Sequence, residues 1–196
     1  MSGLLIAAPA SGSGKTTVTL GLARALADAG LGLVSGKAGP DYIDPAFHAA
    51  ASRKACLNYD PWAMRPGLIR ANAAEQAGAG DFLLVEAMMG LFDAAADGTG
   101  APADLAATLG LPVVLVVDCS RMSQSVAALV KGYRDYRSDI HLVGVILNKV
   151  GSLRHEAMLR GALEASGIEI FGVLERDPLL ALPERQLGLV QAGEHG

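Results

Sequence analysis

The sequence predicts an α/β protein with a doubly wound, mostly parallel sheet and helices on both faces. Short apolar runs alternate with amphipathic segments along most of the chain, as expected of strands joined by helical crossovers. Polar loops follow several of these runs, and hydrophobic residues make up 51% of the 196 residues, which suits a sheet covered on both faces. We expect one compact domain over residues 1–175 and a tail or linker over 176–196, where prolines and glycines interrupt any regular period.

The first apolar run, Leu4 to Ala8, leads into residues 8–17 (APASGSGKTT) and then into an amphipathic stretch from Val18 to Ala29. This is the order of a strand, a phosphate-binding loop and a helix, although Pro9 stands where the general P-loop pattern has glycine. Glycines in the loop let backbone N–H groups turn toward an anion at the start of the helix. Lys15 is expected on the β- and γ-phosphates of ATP and the Thr16 hydroxyl on Mg²⁺. The predicted nucleotide-binding residues are Gly12, Ser13, Gly14, Lys15, Thr16 and Thr17.

A second polar loop is predicted at residues 37–45 (KAGPDYIDP), after the second apolar run. One glycine and two prolines argue against regular structure there. Ligands of open α/β sheets bind beside loops at the carboxyl ends of strands, so its carboxylates are candidate site residues. Asp44 has a structural alternative as the cap of a helix from Ala46 to about Ala51. Asp41 has no comparable structural explanation.

A third candidate position ends the buried strand predicted at Asp81 to Glu86. A carboxylate at the tip of an apolar strand is the Walker B arrangement, which holds Mg²⁺ directly or through water. Because burying an unpaired carboxylate is costly, Glu86 is predicted to be a metal-site residue. Asp93 lies in the following loop and is equally well explained as a surface residue.

A later strand, Leu142 to Leu147, is followed by Asn148 and Lys149. An asparagine amide can both donate to and accept from a purine edge, which favours base recognition by Asn148, and an ordinary turn is the alternative. The other predicted strands are Cys56–Asp60, Pro112–Asp118 and Ile168–Leu174, and the other helices are Pro66–Gln76, Ala103–Leu109, one through Val130, and His155–Ser166.

Composition excludes several classes of function. A net charge of -4 without a basic block argues against nucleic acid or an anionic membrane as partner, and no apolar run approaches the ~20 residues of a membrane span. The chain opens directly on its first strand, so we expect a cytoplasmic protein. Cys56 and Cys119 lack metal-ligand spacing and are expected to be buried thiols, and the four histidines do not cluster into a zinc site.

Six segments together resemble one family over the whole chain. They are residues 8–17, 39–45 (GPDYIDP), 89–93 (MGLFD), 118–125 (DCSRMSQS), 144–152 (GVILNKVGS) and 183–189 (PERQLGL). With them the chain resembles the cobyrinic or hydrogenobyrinic acid a,c-diamide synthases of vitamin B12 biosynthesis, whose phosphate loop also accommodates Pro9.

This resemblance implies a dethiobiotin synthetase-like P-loop fold and a defined activity. ATP and Mg²⁺ would activate the a and c acetate carboxylates of the corrin as acyl phosphates, which ammonia then displaces. It implies that Lys15 and Thr16 serve phosphate and metal, that Asp41 and Glu86 bind Mg²⁺, that Asp44 and Asp93 are active-site acids, that Lys37, Tyr42, Ser120 and Arg121 line the corrinoid side, and that Asn148 meets adenine.

Two departures from the family pattern are visible. Ala87 stands where the family usually has glycine, and it would strain the loop if this residue needed a positive φ. Full members also continue into a glutaminase domain with a cysteine nucleophile, and neither Cys56 nor Cys119 stands in such a setting. We therefore expect no glutamine hydrolysis from this chain. Ammonia would come from a glutaminase domain or subunit or from solution, and a homodimer is the assembly that this fold group suggests.

Two rival functions use the same fold. A switch ATPase of the partitioning type usually carries a second lysine early in the phosphate loop, where this chain has Ala10. Dethiobiotin synthetase is disfavoured by the loop at residues 39–45.

Overall fold

The fold is built on a seven-stranded, wholly parallel sheet. The computed structural model describes residues 2–78, 80–177, 180, 184–185 and 188–189. The strands are β1 (Gly3–Ala7), β2 (Leu33–Ala38), β3 (Cys56–Tyr59), β4 (Phe82–Glu86), β5 (Val113–Asp118), β6 (Leu142–Val150) and β7 (Ile170–Glu175). The helices are α1 (Lys15–Asp28), α2 (Asp44–Ser52), α3 (Pro66–Ala77), α4 (Pro102–Leu109), α5 (Ser125–Asp135) and α6 (Leu153–Glu164). The predicted doubly wound α/β class is confirmed.

The core forms two layers because strand residues alternate between the two faces of the sheet. Leu5 belongs to the core on one face and Ile6 to the core on the other. The layer containing Ile6 is completed by apolar residues of α1 and α2, and the layer containing Leu5 by those of α3, α4, α5 and α6. Both faces are therefore covered, which explains the nearly continuous apolar strands.

The order of the strands is β3-β2-β4-β1-β5-β6-β7. β1 lies near the centre, hydrogen-bonded to β4 on one side and β5 on the other. All strands run in the same direction, so the segments that follow them meet at one edge of the sheet. The loop after β1 therefore lies among the carboxyl ends of β2, β4, β5 and β6.

Four predicted boundaries were wrong at this edge. Lys37 and Ala38 belong to β2 rather than to a loop, because Lys37 pairs with Asn58 in β3 and with Glu86 in β4. Helix α2 begins at Asp44 instead of after it, and α1 begins at Lys15 instead of Val18. β6 continues through Asn148 to Val150, because pairing with its neighbours extends that far.

The end of the chain is described only in part. Two short strands, β8 (Glu184–Arg185) and β9 (Gly188–Leu189), pair antiparallel. The rest of the predicted tail beyond Asp177, apart from position 180, lies outside the described residues, and its interpretation as a linker stays a prediction. Among the described residues no helix is long and apolar enough to cross a membrane.

Candidate active site

The loop after β1 has the geometry of a phosphate cradle. Gly14 adopts φ 91° immediately before α1, and a Cβ placed there would lie 2.2 Å from Asn148 Nδ2. Glycine is therefore required both by the backbone conformation and by the close approach of Asn148. The Ser13 hydroxyl closes the loop by donating to the Ala10 carbonyl at 2.9 Å. The N-terminus of α1 thus faces the loop, where an anion would meet free backbone N–H groups.

Lys15 is buried at the start of α1, and its ammonium donates to backbone carbonyls. Its Nζ is 2.6 Å from the Met89 oxygen and 3.5 Å from the Ala10 oxygen. Burial lowers the pKa of Lys15, and the Glu86 carboxylate offsets that effect only in part. Lys15 therefore bridges the phosphate loop, through Ala10, and the segment that follows β4, through Met89.

That segment contains a strained residue, but it is not Ala87. Among the described non-glycine residues, positive φ occurs at Arg53, Met89 and Lys149. Met89, with φ 54°, presents the carbonyl that receives Lys15. Ala87 is buried and has no positive φ, so the strain that its Cβ would cause at a positive φ does not arise.

Glu86 lies at the end of β4 and is 1% exposed, yet each carboxylate oxygen has a donor. Oε1 accepts from Thr16 Oγ1 at 2.6 Å and from Lys37 Nζ at 2.8 Å, and Oε2 accepts from His48 Nε2 at 2.6 Å. Burial by itself raises the pKa of Glu86, but the His48 hydrogen bond and the Lys37 charge outweigh it and bring the pKa to about 2. The carboxylate is therefore ionised.

Lys37 is a buried cation among carboxylates. Its Nζ lies 2.5 Å from Asp44 Oδ2 and 2.8 Å from Glu86 Oε1, with Asp41 Oδ2 at 3.8 Å. Burial alone would lower the pKa of Lys37, but the Glu86 and Asp44 carboxylates outweigh it and raise the pKa. Its positive charge compensates a pocket that would otherwise concentrate negative charge.

The structure separates the two alternatives that the sequence left open for Asp44, and it gives Asp41 a structural role. Asp44 is the first residue of α2 and makes no capping bond, since its carboxylate turns to Lys37. Asp41 Oδ1 instead accepts from the N–H groups of Ile43 at 2.8 Å and Asp44 at 3.0 Å. The expectation that Asp41 lacks a structural role was therefore wrong, because one of its oxygens orders the start of α2.

Asn148 and Lys149 both contact the phosphate loop. Asn148 Nδ2 donates to the Ser13 carbonyl at 2.9 Å, and Lys149 Nζ donates to the Gly12 carbonyl at 2.9 Å. Asn148 Oδ1 accepts from the N–H of Lys149 at 2.9 Å, so both ends of its amide are engaged. Each end of the amide keeps a second donor or acceptor position, and adenine recognition by Asn148 stays a prediction.

Comparison with protein families agrees with this geometry. Residues 4–190 match the family model described as the CobQ/CobB/MinD/ParA nucleotide binding domain. The chain belongs to this family. The family description supports nucleotide binding by this domain, and the assignment of the cradle around Gly14 and Lys15 to the nucleotide phosphates stays a prediction.

Several curated relatives of this domain have the same name. Hydrogenobyrinate a,c-diamide synthase of Sinorhizobium sp is 72% identical over 195 residues, which cover 100% of this chain and 45% of the relative. The proteins of the same name from Rhizobium meliloti (strain 1021) and Brucella suis biovar 1 (strain 1330) are 70% and 64% identical over 196 residues, covering all of this chain and 46% and 45% of the relatives. The chain thus spans less than half the length of these relatives.

Solved structures show the same fold at low identity. A nucleotide-binding protein from Archaeoglobus fulgidus in complex with ADP superposes with a TM-score of 0.56 at 16% identity, covering 91% of this chain and 83% of that one. Chloroplast FtsY from Physcomitrella patens gives a TM-score of 0.60 at 19% identity, covering 88% and 58%. At these identities the likeness concerns the fold alone.

The structure brings part of the predicted site into one connected group, and several other predicted residues lie outside that group. Six predicted residues lie in one connected group: Lys15, Thr16, Lys37, Asp41, Asp44 and Glu86. Tyr42 is 91% exposed and Arg121 is also exposed. Asp93 is exposed and accepts from the N–H of Gly90 at 2.8 Å, and the N–H of Ser120 donates to Asp118 at 2.9 Å. Thr17, half-buried, follows Thr16 in the first turn of α1.

Two residues without a predicted role belong to this site. His48 is fully buried against Glu86, and its Nδ1 has no hydrogen-bond partner within the described part of the chain. A signal was present, since His48 lies four residues after Asp44 and hence on the same face of α2. The Met89 carbonyl gave no such signal, because a backbone acceptor has no sequence signature.

Proposed function

We propose that this domain is the synthetase part of a hydrogenobyrinate a,c-diamide synthase, acting on the cobalt-free corrinoid acid with ATP. The observation that supports this best is the Glu86 carboxylate, shared by the phosphate-loop Thr16 and the buried ammonium of Lys37. It puts charge-compensating groups directly beside the nucleotide phosphate site. The relatives' name, at 64% to 72% identity over the whole chain, supports the corrinoid substrate.

The proposed reaction has two balanced steps. An oxygen of the substrate carboxylate attacks the γ-phosphorus of ATP, and the bond from that phosphorus to the bridging oxygen of ADP breaks. Ammonia then attacks the carbonyl carbon of the acyl phosphate, inorganic phosphate leaves, and one proton is lost from nitrogen. Phosphoryl transfer of this kind depends mainly on positioning and charge stabilisation.

The protein groups supply that stabilisation. Lys15 would exchange the Met89 carbonyl for the β- and γ-phosphates, the groups that the lysine of a phosphate loop contacts. Lys37 would neutralise charge between the phosphate and the substrate carboxylate. Asp41 and Asp44 hold Lys37 and the start of α2 in place, and Asp93, Tyr42, Ser120 and Arg121 would meet the corrinoid at the rim.

Mg²⁺ is the cofactor that we propose with the nucleotide. Thr16 Oγ1 and Glu86 Oε1, 2.6 Å apart, are hard oxygen donors of the kind that Mg²⁺ prefers, with Asp41 as a further carboxylate. Within the described residues no group of three or more His, Cys, Asp or Glu could hold a metal. That suits Mg²⁺, which commonly takes one or two carboxylates and completes its shell with phosphate and water. The ion would neutralise charge on the transferred phosphoryl group.

The remaining parts of the proposal concern the longer enzyme. Ammonia would come from a glutaminase part outside this domain, joined through the segment 176–196, and the reaction would take place in the cytoplasm. A homodimer is the assembly to be tested, by light scattering on the purified chain.

The test is ADP release by the purified chain with Mg-ATP and ammonium, with and without hydrogenobyrinic acid. We expect corrinoid-dependent ADP release and a mass change of the product that matches amide formation. Glutamine in place of ammonium should not support it, and cobyrinic acid tests the preference for a cobalt-free ring. An equal rate of ADP release with and without the corrinoid would overturn the proposal and favour a switch ATPase.

Variants assign the chemistry to the site. Lys15→Ala and Glu86→Gln should each lower corrinoid-dependent turnover by roughly 100-fold or more, the usual scale for losing a charge-stabilising group. Matched controls are Lys54→Ala and Glu156→Gln, whose side chains form exposed or partly exposed ion pairs with Asp81 and Arg160. Full turnover in either site variant would contradict the assigned roles.

A further inference from the structure

Strand β6 carries a backbone irregularity where it passes the phosphate loop. From Leu147 to Val150 the strand takes three residue steps while β7 takes two, from Val173 to Glu175. Within this bulge Lys149 adopts φ 57°. Side chains of consecutive strand residues normally point to opposite faces, and a bulge changes the direction of one of them. A non-glycine residue held at positive φ carries a conformational cost that the surrounding contacts must offset.

The bulge directs two consecutive side chains onto two consecutive carbonyls. Asn148 donates to the Ser13 oxygen, and Lys149 donates to the Gly12 oxygen, each at 2.9 Å. The same Lys149 ammonium contacts Asp118 Oδ2 at 2.7 Å. Asp118 ends β5 directly opposite Asn148, so the ion pair joins two neighbouring strands above the phosphate loop.

This arrangement acts on the orientation of peptide groups. A phosphate cradle needs backbone N–H groups that point inward, and a peptide plane whose carbonyl is held outward has its N–H on the opposite side. The Gly12 residue, with φ 77°, has little conformational restriction of its own. A donor that holds the Gly12 carbonyl orders the loop before phosphate arrives. The entropic cost of ordering the loop is then no longer part of the cost of binding.

We propose that Lys149, held by Asp118, is a positioning residue that preorganises the phosphate loop for the nucleotide. The inference rests on the nucleotide site and is independent of the acceptor that receives the phosphoryl group. It assigns to the β6 bulge a function that base recognition by Asn148 does not require. Its effect should grow with the phosphates that enter the loop, because the loop binds phosphate and not the base.

The experiment measures ADP and AMP affinity by calorimetry in the purified chain. Lys149→Met should weaken ADP binding by about tenfold or more, the scale of a lost charge-assisted hydrogen bond, and AMP binding much less. Lys149→Arg, which keeps a donor and the charge, should restore most of the ADP affinity. The control is Lys54→Met. Lys54 forms an exposed ion pair with Asp81, and this variant should bind both nucleotides as the wild type does.

Three results would overturn the proposal. They are unchanged ADP affinity in Lys149→Met, an equal loss for ADP and AMP, or no rescue by Lys149→Arg. If Lys149→Met fails to fold, Asp118→Asn provides the same test, since it should weaken ADP binding severalfold by loosening Lys149. Because these are binding measurements, they hold even if the corrinoid amidation assay fails, and the failure of either hypothesis can be recognised separately.

Discussion

At the scale of single residues, the site depends on buried charges that compensate one another. Glu86 is ionised inside the core because Thr16, Lys37 and His48 all donate to it. Lys37 in turn is shared with Asp44. Removing one member of such a group leaves its partners uncompensated in a region of low dielectric constant. His48 is the member that can be changed without altering the predicted nucleotide ligands.

Replacing His48 tests this interdependence through stability. His48→Leu would leave Glu86 Oε2 without a donor and should lower the free energy of unfolding by about 1–3 kcal/mol, measured by urea denaturation. His48→Gln can still present an N–H and should lose less. The exposed His141 provides the control, with His141→Leu expected within about 0.5 kcal/mol of wild type. Equal losses for Leu and Gln at position 48 would show that packing alone matters there.

Cys56 should react slowly with alkylating reagents despite being only half-buried. Burial raises its pKa to about 11, so about 0.1% of the thiol is ionised at pH 8. Because only the thiolate reacts, the alkylation rate should rise about tenfold per pH unit between pH 8 and 10. Peptide mass spectrometry after short iodoacetamide pulses measures it, beside glutathione as a reference thiol. A rate that levels off near pH 9 would contradict the raised pKa.

At the scale of elements, the ends of helices decide where side chains of the site stand. Helix α1 begins at Lys15 because Gly14 turns the chain into it, and α2 begins at Asp44 because Asp41 accepts its first N–H groups. The bulge of β6 directs Lys149 to the phosphate loop. Local hydrogen bonds at element boundaries thus set the positions of residues far apart in sequence.

Helix α6, which follows the bulge, offers a separate test of such a boundary. Ser152 is its N-cap, and the hydroxyl accepts from the N–H of His155 at 3.2 Å. Ser152→Ala should lower the free energy of unfolding by about 1 kcal/mol, because this N–H then loses its acceptor. Ser152→Asp keeps an acceptor and should remain close to wild type. Urea unfolding of the wild type and the two variants measures these differences. An alanine variant as stable as the wild type would show that the cap contributes nothing to stability.

At the scale of the whole molecule, the parallel sheet brings distant segments to one edge. Thr16 and Glu86 are 70 residues apart in sequence, and Ser13 and Asn148 are 135 apart, yet each pair is hydrogen-bonded. The strand order that places β1 between β4 and β5 makes these contacts. Ligand binding at this edge should therefore stabilise the entire domain.

ADP should raise the melting temperature of the chain. At a concentration of about 100 times Kd it adds about 2.7 kcal/mol, or roughly 5–10 °C for a domain of this size. Gly14→Ala should abolish this shift, because the new Cβ would lie 2.2 Å from Asn148 Nδ2. Gly132→Ala, in α5 with nothing within 4 Å of its Cβ, is the matched control and should keep the shift. Scanning calorimetry measures the melting temperature of both variants with and without ADP. An undiminished rise in Gly14→Ala would show that ADP binds outside the phosphate loop.

Much of this protein was determined by its sequence alone. Residues 8–17, between an apolar run and an amphipathic helix, sufficed for the phosphate loop, because this motif depends on contiguous residues. The alternation of apolar and amphipathic segments sufficed for the fold class, and the apolar strand ending at Glu86 located the buried carboxylate. These features depend on residues that are close together in the sequence, so composition and spacing are enough to predict them.

Other features were decided only by tertiary structure. Lys37 lies within β2, and Asn148 and Lys149 lie within β6, because neighbouring strands extend the ladders beyond the point where local sequence suggests a loop. Asp44 contacts Lys37 instead of capping α2 because Lys37 is buried beside it, and no local pattern reveals that burial. The Met89 carbonyl joined the site for the same reason, and the spacing of His48 from Asp44 indicated only the helix face of His48 and not its contact with Glu86. Their partners are brought within hydrogen-bonding distance by packing of the sheet, and spacing along the chain carries no record of such contacts.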